Sequence, residues 1–326
     1  MDVVRCAAIG WPARGSRMAA PSLAGLNCPN CGAAITIRAL QQTQTVVCAA
    51  CHAVLDAKDQ QLSMLQAYQA QMTFAPDIPL GTRGTLRGDP YEVTGFQVRS
   101  VRHNEVEYFW REYTLWNPYK GYRYLMEYDG HWCDFAASRI APSEMVSGRQ
   151  PYVTYQGELF RHFRTTTVTT VFILGEFPWQ IRSGDRVTSR DFVAPPRMLS
   201  EEVSPDATGW SVGLYLPAAV VWHAFALPGA APPATGIFPC EPNTNTPRAR
   251  AGRVRTLWLA VPAAAALLAR ALLAPPNTVL AQRWPYVVLL AVLVLLAVPA
   301  IVDGIRAAAF ERARWSDSDY AADDTD

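Results

Sequence analysis

The chain has 326 residues, a net charge of +1 and a mean hydropathy of +0.02. That length holds about two domains, and near-neutral charge removes the general electrostatic attraction expected of a nucleic-acid binder. Four of the seven cysteines stand in two Cys-x-x-Cys pairs, which is metal-site usage and not a secreted disulfide framework.

Residues 1–26 read as a disordered leader. The apolar patch between Arg5 and Arg14 is broken by Gly10 and is too short for a signal peptide, and Met18 is a second candidate start. Residues 27–56 follow the pattern Cys28-x-x-Cys31, sixteen residues, Cys48-x-x-Cys51. The intervening AITIRAL and TVV alternate as strands do. Two cysteine knuckles joined by a hairpin predict a zinc ribbon, with Cys28, Cys31, Cys48 and Cys51 closing a tetrahedral four-cysteine site around a structural zinc. So small a unit draws its folding energy from the metal. Between Met18 and Gln60 the only charges are Arg38, Asp56, Lys58 and Asp59, which is no basic footprint for phosphates. Nucleic-acid binding through the ribbon is therefore kept only as a second alternative.

Residues 57–79 predict a linker, with a short helix over 59–73 capped by Asp59 and ended by Pro76 and Pro79. Residues 80–226 are rich in β-branched and aromatic residues, with turn signals at short intervals and no long helical stripe. That is a mainly β domain, a sandwich or an open barrel. Residues 227–256 are a Pro-rich basic linker in which the prolines forbid a packed element. It ends in Arg248, Arg250, Arg253 and Arg255.

Two apolar segments follow, 257–274 and 286–302, each near the lower limit for a transmembrane helix. They predict a membrane hairpin over 257–303. Arg270 lies one turn from the end of the first segment, where its side chain can reach the interface. A single span, with the first segment lying in the interface, is the alternative. Arginines flank the pair on both outer sides while the connecting loop has only Arg283, so both ends are placed in the cytoplasm, at the bacterial inner membrane. Residues 304–326 form a cytoplasmic tail, read as disordered after Trp315.

Within the β domain, eight of the twenty-three residues from Trp110 to Trp132 are Trp or Tyr. Asp129-Gly130 is a type I′ hairpin signal, and 117–121 make a five-residue loop. These turns predict a meander of strands 105–116, 122–128 and 131–136. Its register sets Glu112 opposite Met126, Trp110 opposite Tyr128 and Tyr128 opposite His131. One face then carries Trp110, Glu112, Trp116, Tyr122, Tyr124, Met126, Tyr128, His131, Cys133 and Phe135. The other carries Tyr113, Leu115, Leu125 and Trp132, with Arg111 opposite Glu127 as an ion pair. Cross-strand packing accounts for the rings, with Tyr hydroxyls satisfying Glu112. Alternatively Trp110, Glu112, Tyr124, Tyr128 and His131 line a ligand pocket. No Ser-His-Asp or Cys-His spacing points to an enzyme.

The runs GTLRGDPYEVTGFQVRSV, YFWREYTLWNPYKGYRYLMEYDGHW, GEFPWQIRSGDRVTSRDFVAPPRMLSEE and GWSVGLYL, together with the closing FERARWSDSDY, resemble the bacterial domain of unknown function 4178 family. The resemblance covers most of residues 80–226 and the tail. It implies no established activity. Such proteins join this β domain to a zinc ribbon or membrane segments, near phage-shock membrane-stress proteins and polyamine-synthesis-like enzymes. The expected function is thus a membrane-anchored, non-enzymatic scaffold or sensor with protein partners, in an envelope-stress setting. The alternative is a small-ligand binder or enzyme using the face around Glu112 and His131.

Overall fold

The computed structural model describes residues 26–39, 42–59, 61–67, 74–103, 105–145, 150–205, 207–246, 265 and 301–321. The leader, except for residue 26, and the two apolar segments, except for 265 and 301–302, lie outside the described residues. Among the described residues no helix is long and apolar enough to cross a membrane. The chain divides into two compact units, Met1–Gln71 with Leu174–Arg182, and Met72–Ile173 with Ser183–Asp326.

The first unit contains β1 (Leu26–Asn27), β2 (Ala34–Ile35), β3 (Thr45–Val47), β4 (Val54–Asp56) and β5 (Met64–Gln66). β1 pairs with β2, and β3, β4 and β5 form an antiparallel sheet. Ile35, Ile37, Val46, Leu55 and Leu62 share a small core with Cys28 and Cys48. Glu176 is buried in this unit. Its carboxylate accepts the Arg38 N–H at 2.8 Å, and the Ala39 N–H and Thr43 hydroxyl at 3.1 Å, pinning the turn between β2 and β3. The helix expected over 59–73 is not formed in its first half. Asp59 instead makes a side-chain turn, accepting from the N–H groups of Gln61 and Ser63, and Met64–Gln66 pairs with β4. An open sheet edge outweighs local helical periodicity here. Residues 68–73 lie outside the described residues.

The second unit contains β6 (Arg83–Leu86), β7 (Asp89–His103), β8 (Val106–Asn117), β9 (Gly121–Tyr128), β10 (His131–Ser138), β11 (Ser143–Met145) and β12 (Tyr152–Tyr155). It continues with β13 (Glu158–Phe177, whose end belongs to the first unit), β14 (Arg186–Ala194), β15 (Arg197–Val203), β16 (Thr208–Leu216) and α1 (Ala218–Ala224). Residues 301–315 form a further helix, α2. Pairing runs β13-β14-β15-β16-β10-β9-β8-β7 and returns from β7 to β13. The sheet is therefore a closed eight-stranded antiparallel barrel, neither a sandwich nor an open one. Closure hides the strand edges that either alternative would leave unpaired.

The meander is paired as the turns require. Glu112 stands opposite Met126, Tyr128 opposite His131, and Met126 opposite Cys133. Asp129 and Gly130 have φ of 48° and 83°, the positive values a type I′ turn needs. Arg111 donates to Glu127 at 2.8 Å.

Contacts between strands that are not neighbours identify the inner face. Arg99 of β7 pairs with Glu202 of β15, and Phe163 of β13 clusters with Cys133 and Phe135 of β10, which stands opposite it in the ring. The face bearing Glu112 is thus inside the barrel, and the face bearing Tyr113 and Trp132 is outside. The outer face is covered: Tyr113 stacks on Trp132 at 5.6 Å, and Trp222 of α1 meets Trp132 edge-on at 5.9 Å.

Two segments read as loose are packed. The prolines of 227–246 do exclude helix and strand, yet the segment docks as a strap. Phe238 and Cys240 are buried in the inner-face cluster with Cys133 and Phe135. The strap crosses Gly130, where a Cβ would come within 2.7 Å of the Pro233 carbonyl. Prolines leave carbonyls with no N–H beside them, and Arg314 of α2, a buried side chain, donates to the carbonyls of Pro239, at 2.5 Å, and Glu241, at 2.7 Å. The described part of the tail beyond Trp315, residues 316–321, is packed as well. Tyr320 bonds His162 at 2.7 Å, and Asp319 accepts the Thr165 N–H at 2.8 Å.

Candidate functional site

The first candidate is the cysteine cluster. Gly32, at φ 77°, and His52, at φ 58°, occupy the same place in the two knuckles, donating their N–H groups back to Cys28 and Cys48. The knuckles bring Cys28 within 3.6 Å of Cys51 and Cys31 within 3.7 Å of Cys48, sulfur to sulfur, and all four sulfurs lie within 4.8 Å of one another. A tetrahedral centre with zinc–sulfur bonds of about 2.3 Å has edges of about 3.8 Å. The four thiols therefore fit a metal ion such as zinc. Without one they share protons. Cys51 is lowered to about 6, chiefly by the Asn30 side chain. Cys31 rises to about 12, as proton sharing with Cys51 and desolvation outweigh the Ala33 N–H that favours its thiolate.

The second candidate is the barrel interior near Glu112. Its carboxylate accepts from Gln97 at 2.6 Å, from the Trp110 indole at 2.7 Å and from Arg99 at 3.4 Å. These donors, an amide, an indole and a guanidinium, were not among those expected from the meander alone. Arg99 is buried, and it also pairs with Glu202 and lies 5.9 Å from the Trp110 ring. Desolvation opposes its charge, but Glu112 and Glu202 hold its pKa above the ordinary arginine value. Burial, with Glu112 and Glu202 nearby, pushes Tyr124 up to about 12. Asp191 is bonded by Ser200 and Ser189, and burial raises it to about 6.

Five candidate pocket residues were expected to act together, and the structure divides them. Trp110, Glu112 and Tyr124 belong to this interior cluster. His131 is turned to the strap, bonding Tyr215 at 3.1 Å and the Thr235 carbonyl at 3.0 Å and stacking on Phe238 at 5.7 Å. Tyr128 packs with the same apolar cluster as Phe238. No hydrogen bond or ring contact joins Glu112 to His131 among the described residues. Arg99 was missed because the predicted meander did not include β7, which pairs beside β8, and Asp191 and Glu202 because they lie on β14 and β15, which only the closed ring sets across from Glu112.

These strands coincide with a recognisable domain. Residues 79–218 match the family model described as a domain of unknown function, DUF4178. The DUF4178 match spans all eight barrel strands and leaves the cysteine knuckles, the strap and the tail outside it. No curated protein and no solved structure matches the chain.

Proposed function

We propose that the chain is a membrane-anchored, non-enzymatic scaffold or sensor whose cysteine unit and barrel lie on the cytoplasmic side of a bacterial inner membrane. The observation that carries this reading is the clamp between strap and tail. Asn243 donates to the Ala307 carbonyl at 3.1 Å and to Glu311 at 2.9 Å, beside the Arg314 contacts already described. The chain between Asn243 and Ala307, which contains both apolar segments, thus leaves and returns at one place on the barrel. A chain that enters a bilayer and returns to the same side crosses it an even number of times, which favours the hairpin over a single span. Ile301 and Ile305, each 60% exposed, continue the apolar surface into the start of α2. The flanking arginines supply the orientation. The family resemblance adds the envelope-stress setting and the expectation of protein partners.

Topology is tested with reporter fusions to the full chain. Green fluorescent protein at the C-terminus is expected to fluoresce, and alkaline phosphatase inserted within 275–285 is expected to be active. Inactive phosphatase at that loop, or recovery of the chain outside the membrane fraction, overturns the reading. In the cysteine unit, we assign the metal as zinc in a structural role. One zinc per chain is expected, falling below half in Cys48→Ser. The nucleic-acid alternative is weakened by Arg38 being tied to Glu176 at 3.4 Å. A gel-shift assay at low salt tests it.

A further inference from the structure

Among the described residues, the two cysteines outside the knuckles meet inside the barrel. Cys133, on β10, and Cys240, on the strap, are 107 residues apart in the chain, and their sulfurs stand 3.8 Å from each other. Both are fully buried in the cluster of Phe135, Phe163, Met198 and Phe238. A disulfide has about 2.05 Å between its sulfurs, so each sulfur has roughly 0.9 Å to travel, within reach of side-chain rotation. A Cβ at Gly213, on the neighbouring β16, would stand 2.8 Å from the Cys133 sulfur. The glycine therefore allows that sulfur its position against the strap.

The two thiols sit on elements that can part. Residues 227–246 contain no helix or strand, and the strap backbone is tied to the barrel at Thr235, whose N–H donates to the Asp129 carbonyl at 2.9 Å. A segment without a backbone ladder opens at a lower free energy than the sheet beneath it. Lifting the strap carries Cys240 into solvent and uncovers Cys133.

We propose that Cys133 and Cys240 form a reversible disulfide clasp that fastens the strap, and through it α2, to the barrel under oxidising conditions. Hydrogen peroxide is the oxidant. Cys240, lifted with the strap, takes one oxygen from the peroxide to become a sulfenic acid, and water leaves. The Cys133 sulfur attacks the Cys240 sulfur, the S–S bond forms and the S–O bond breaks. The hydroxyl departs with the Cys133 proton as a second water. Two thiols lose two electrons and two protons, and one peroxide becomes two waters. Burial, with Cys240 beside it, pushes the docked Cys133 thiol well above its ordinary value. The thiolate is the attacking form, so the chemistry belongs to the lifted strap. Redocking then shields the bond from reductants. In a reducing compartment the pair rests as thiols, which makes the clasp a response to oxidant. It does not depend on membrane anchoring.

The test treats the full chain in detergent with hydrogen peroxide, blocks the remaining thiols with N-ethylmaleimide in urea, and maps tryptic peptides without reduction. The peptide of residues 124–139 is expected to be joined to that of residues 198–248, two hydrogens lighter than their sum and released by dithiothreitol. Closing so long a loop is expected to raise the melting temperature by about 5 °C or more. Cys240→Ala keeps the four-cysteine cluster, accounts for any oxidation there, and is expected to show no rise. Asn243→Ala, which loosens the strap from α2, is expected to form the joined peptide roughly fivefold faster. If Cys240→Ala fails to fold, the peptide map and the Asn243→Ala rate still decide. Recovery of both cysteines as separate blocked peptides, a joined pair that forms only in urea, an unchanged melting temperature, or an unchanged rate in Asn243→Ala would overturn the assignment.

Discussion

The two faces of β8, β9 and β10 are made from the same residue types, and the outer one is the more fully buried. Outside, Tyr113, Leu125 and Trp132 are fully buried, and the charges among them are paired. Asp134 is held by Arg87 at 2.6 Å and Arg123 at 2.7 Å, and Glu127 by Arg111. Inside, the rings of Trp110 and Tyr124 stay accessible, and an acid-rich set gathers around Arg99 with one N–H unpaired. Aromatic density alone therefore does not separate core from site. What separates them is whether the rings are covered. The outer face satisfies that condition and is structural. The inner face does not at the Glu112 end.

The largest expected effect tests the filled face. Trp132→Ala removes a ring packed between Tyr113 and Trp222 and is expected to cost about 3–5 kcal/mol. At roughly 2–4 °C per kcal/mol for a chain of this size, the melting temperature of the full chain in detergent falls by about 10 °C. Trp110→Ala, on the accessible face, is expected to cost less than about half as much. Equal losses would mean that the inner face is as tightly filled as the outer.

Next in size is a pH effect confined to the Glu112 end of the interior. Asp191 has an ordinary carboxyl value of 3.8 when exposed and about 6 in the fold. A raised folded value favours the protonated form. Stability from this group is complete below about pH 4, declines as the unfolded chain ionises, and is lost by the time pH has risen through 6. The shift amounts to about 3 kcal/mol. Asp191→Asn is therefore expected to match the unaltered chain near pH 4 and to exceed it by about 2–3 kcal/mol at pH 7–8. Urea unfolding at the two pH values measures the difference. A gap of the same size at both values would show that ionisation of Asp191 is not the cause.

Much of the outer face was legible in the sequence, because a strict period of two and an Asp-Gly turn fix register and facing together. The knuckles were legible for a similar reason, the ligands being local in sequence. The Glu112 end of the interior was not, since Asp191 and Glu202 are set across from Glu112 only through ring closure, and closure depends on β13 pairing with both β14 and β7. The strap failed for another reason. Proline content reports which backbone hydrogen bonds cannot form, and says nothing of a distant Arg314 that satisfies the carbonyls left over.

The inner face is itself divided, and Gly213 marks the filled half. A Cβ there would approach the Phe135 ring to 2.6 Å and the Cys133 sulfur to 2.8 Å. Gly213→Ala is expected to cost about 1–3 kcal/mol by overpacking, read as a lower urea midpoint at unchanged slope. A neutral substitution would show that this half is not tightly filled.

The smallest effect is the sharpest probe of the boundary. Ser200 faces the barrel interior, partly accessible, two residues from Met198, which is packed against the Phe135 cluster. Its hydroxyl lies 3.2 Å from that of Ser189 and bonds the Asp191 carboxylate. Where there is room beside a side chain, deleting one oxygen opens no new cavity, and water replaces the lost donor. Ser200→Ala is therefore expected to cost about 1 kcal/mol or less. Because the lost bond favoured the ionised carboxylate, the midpoint of the Asp191-dependent stability change should move above 6. A cost of several kcal/mol with no movement of that midpoint would place Ser200 in a dry core, and the division of the inner face into a filled and an accessible half would not stand.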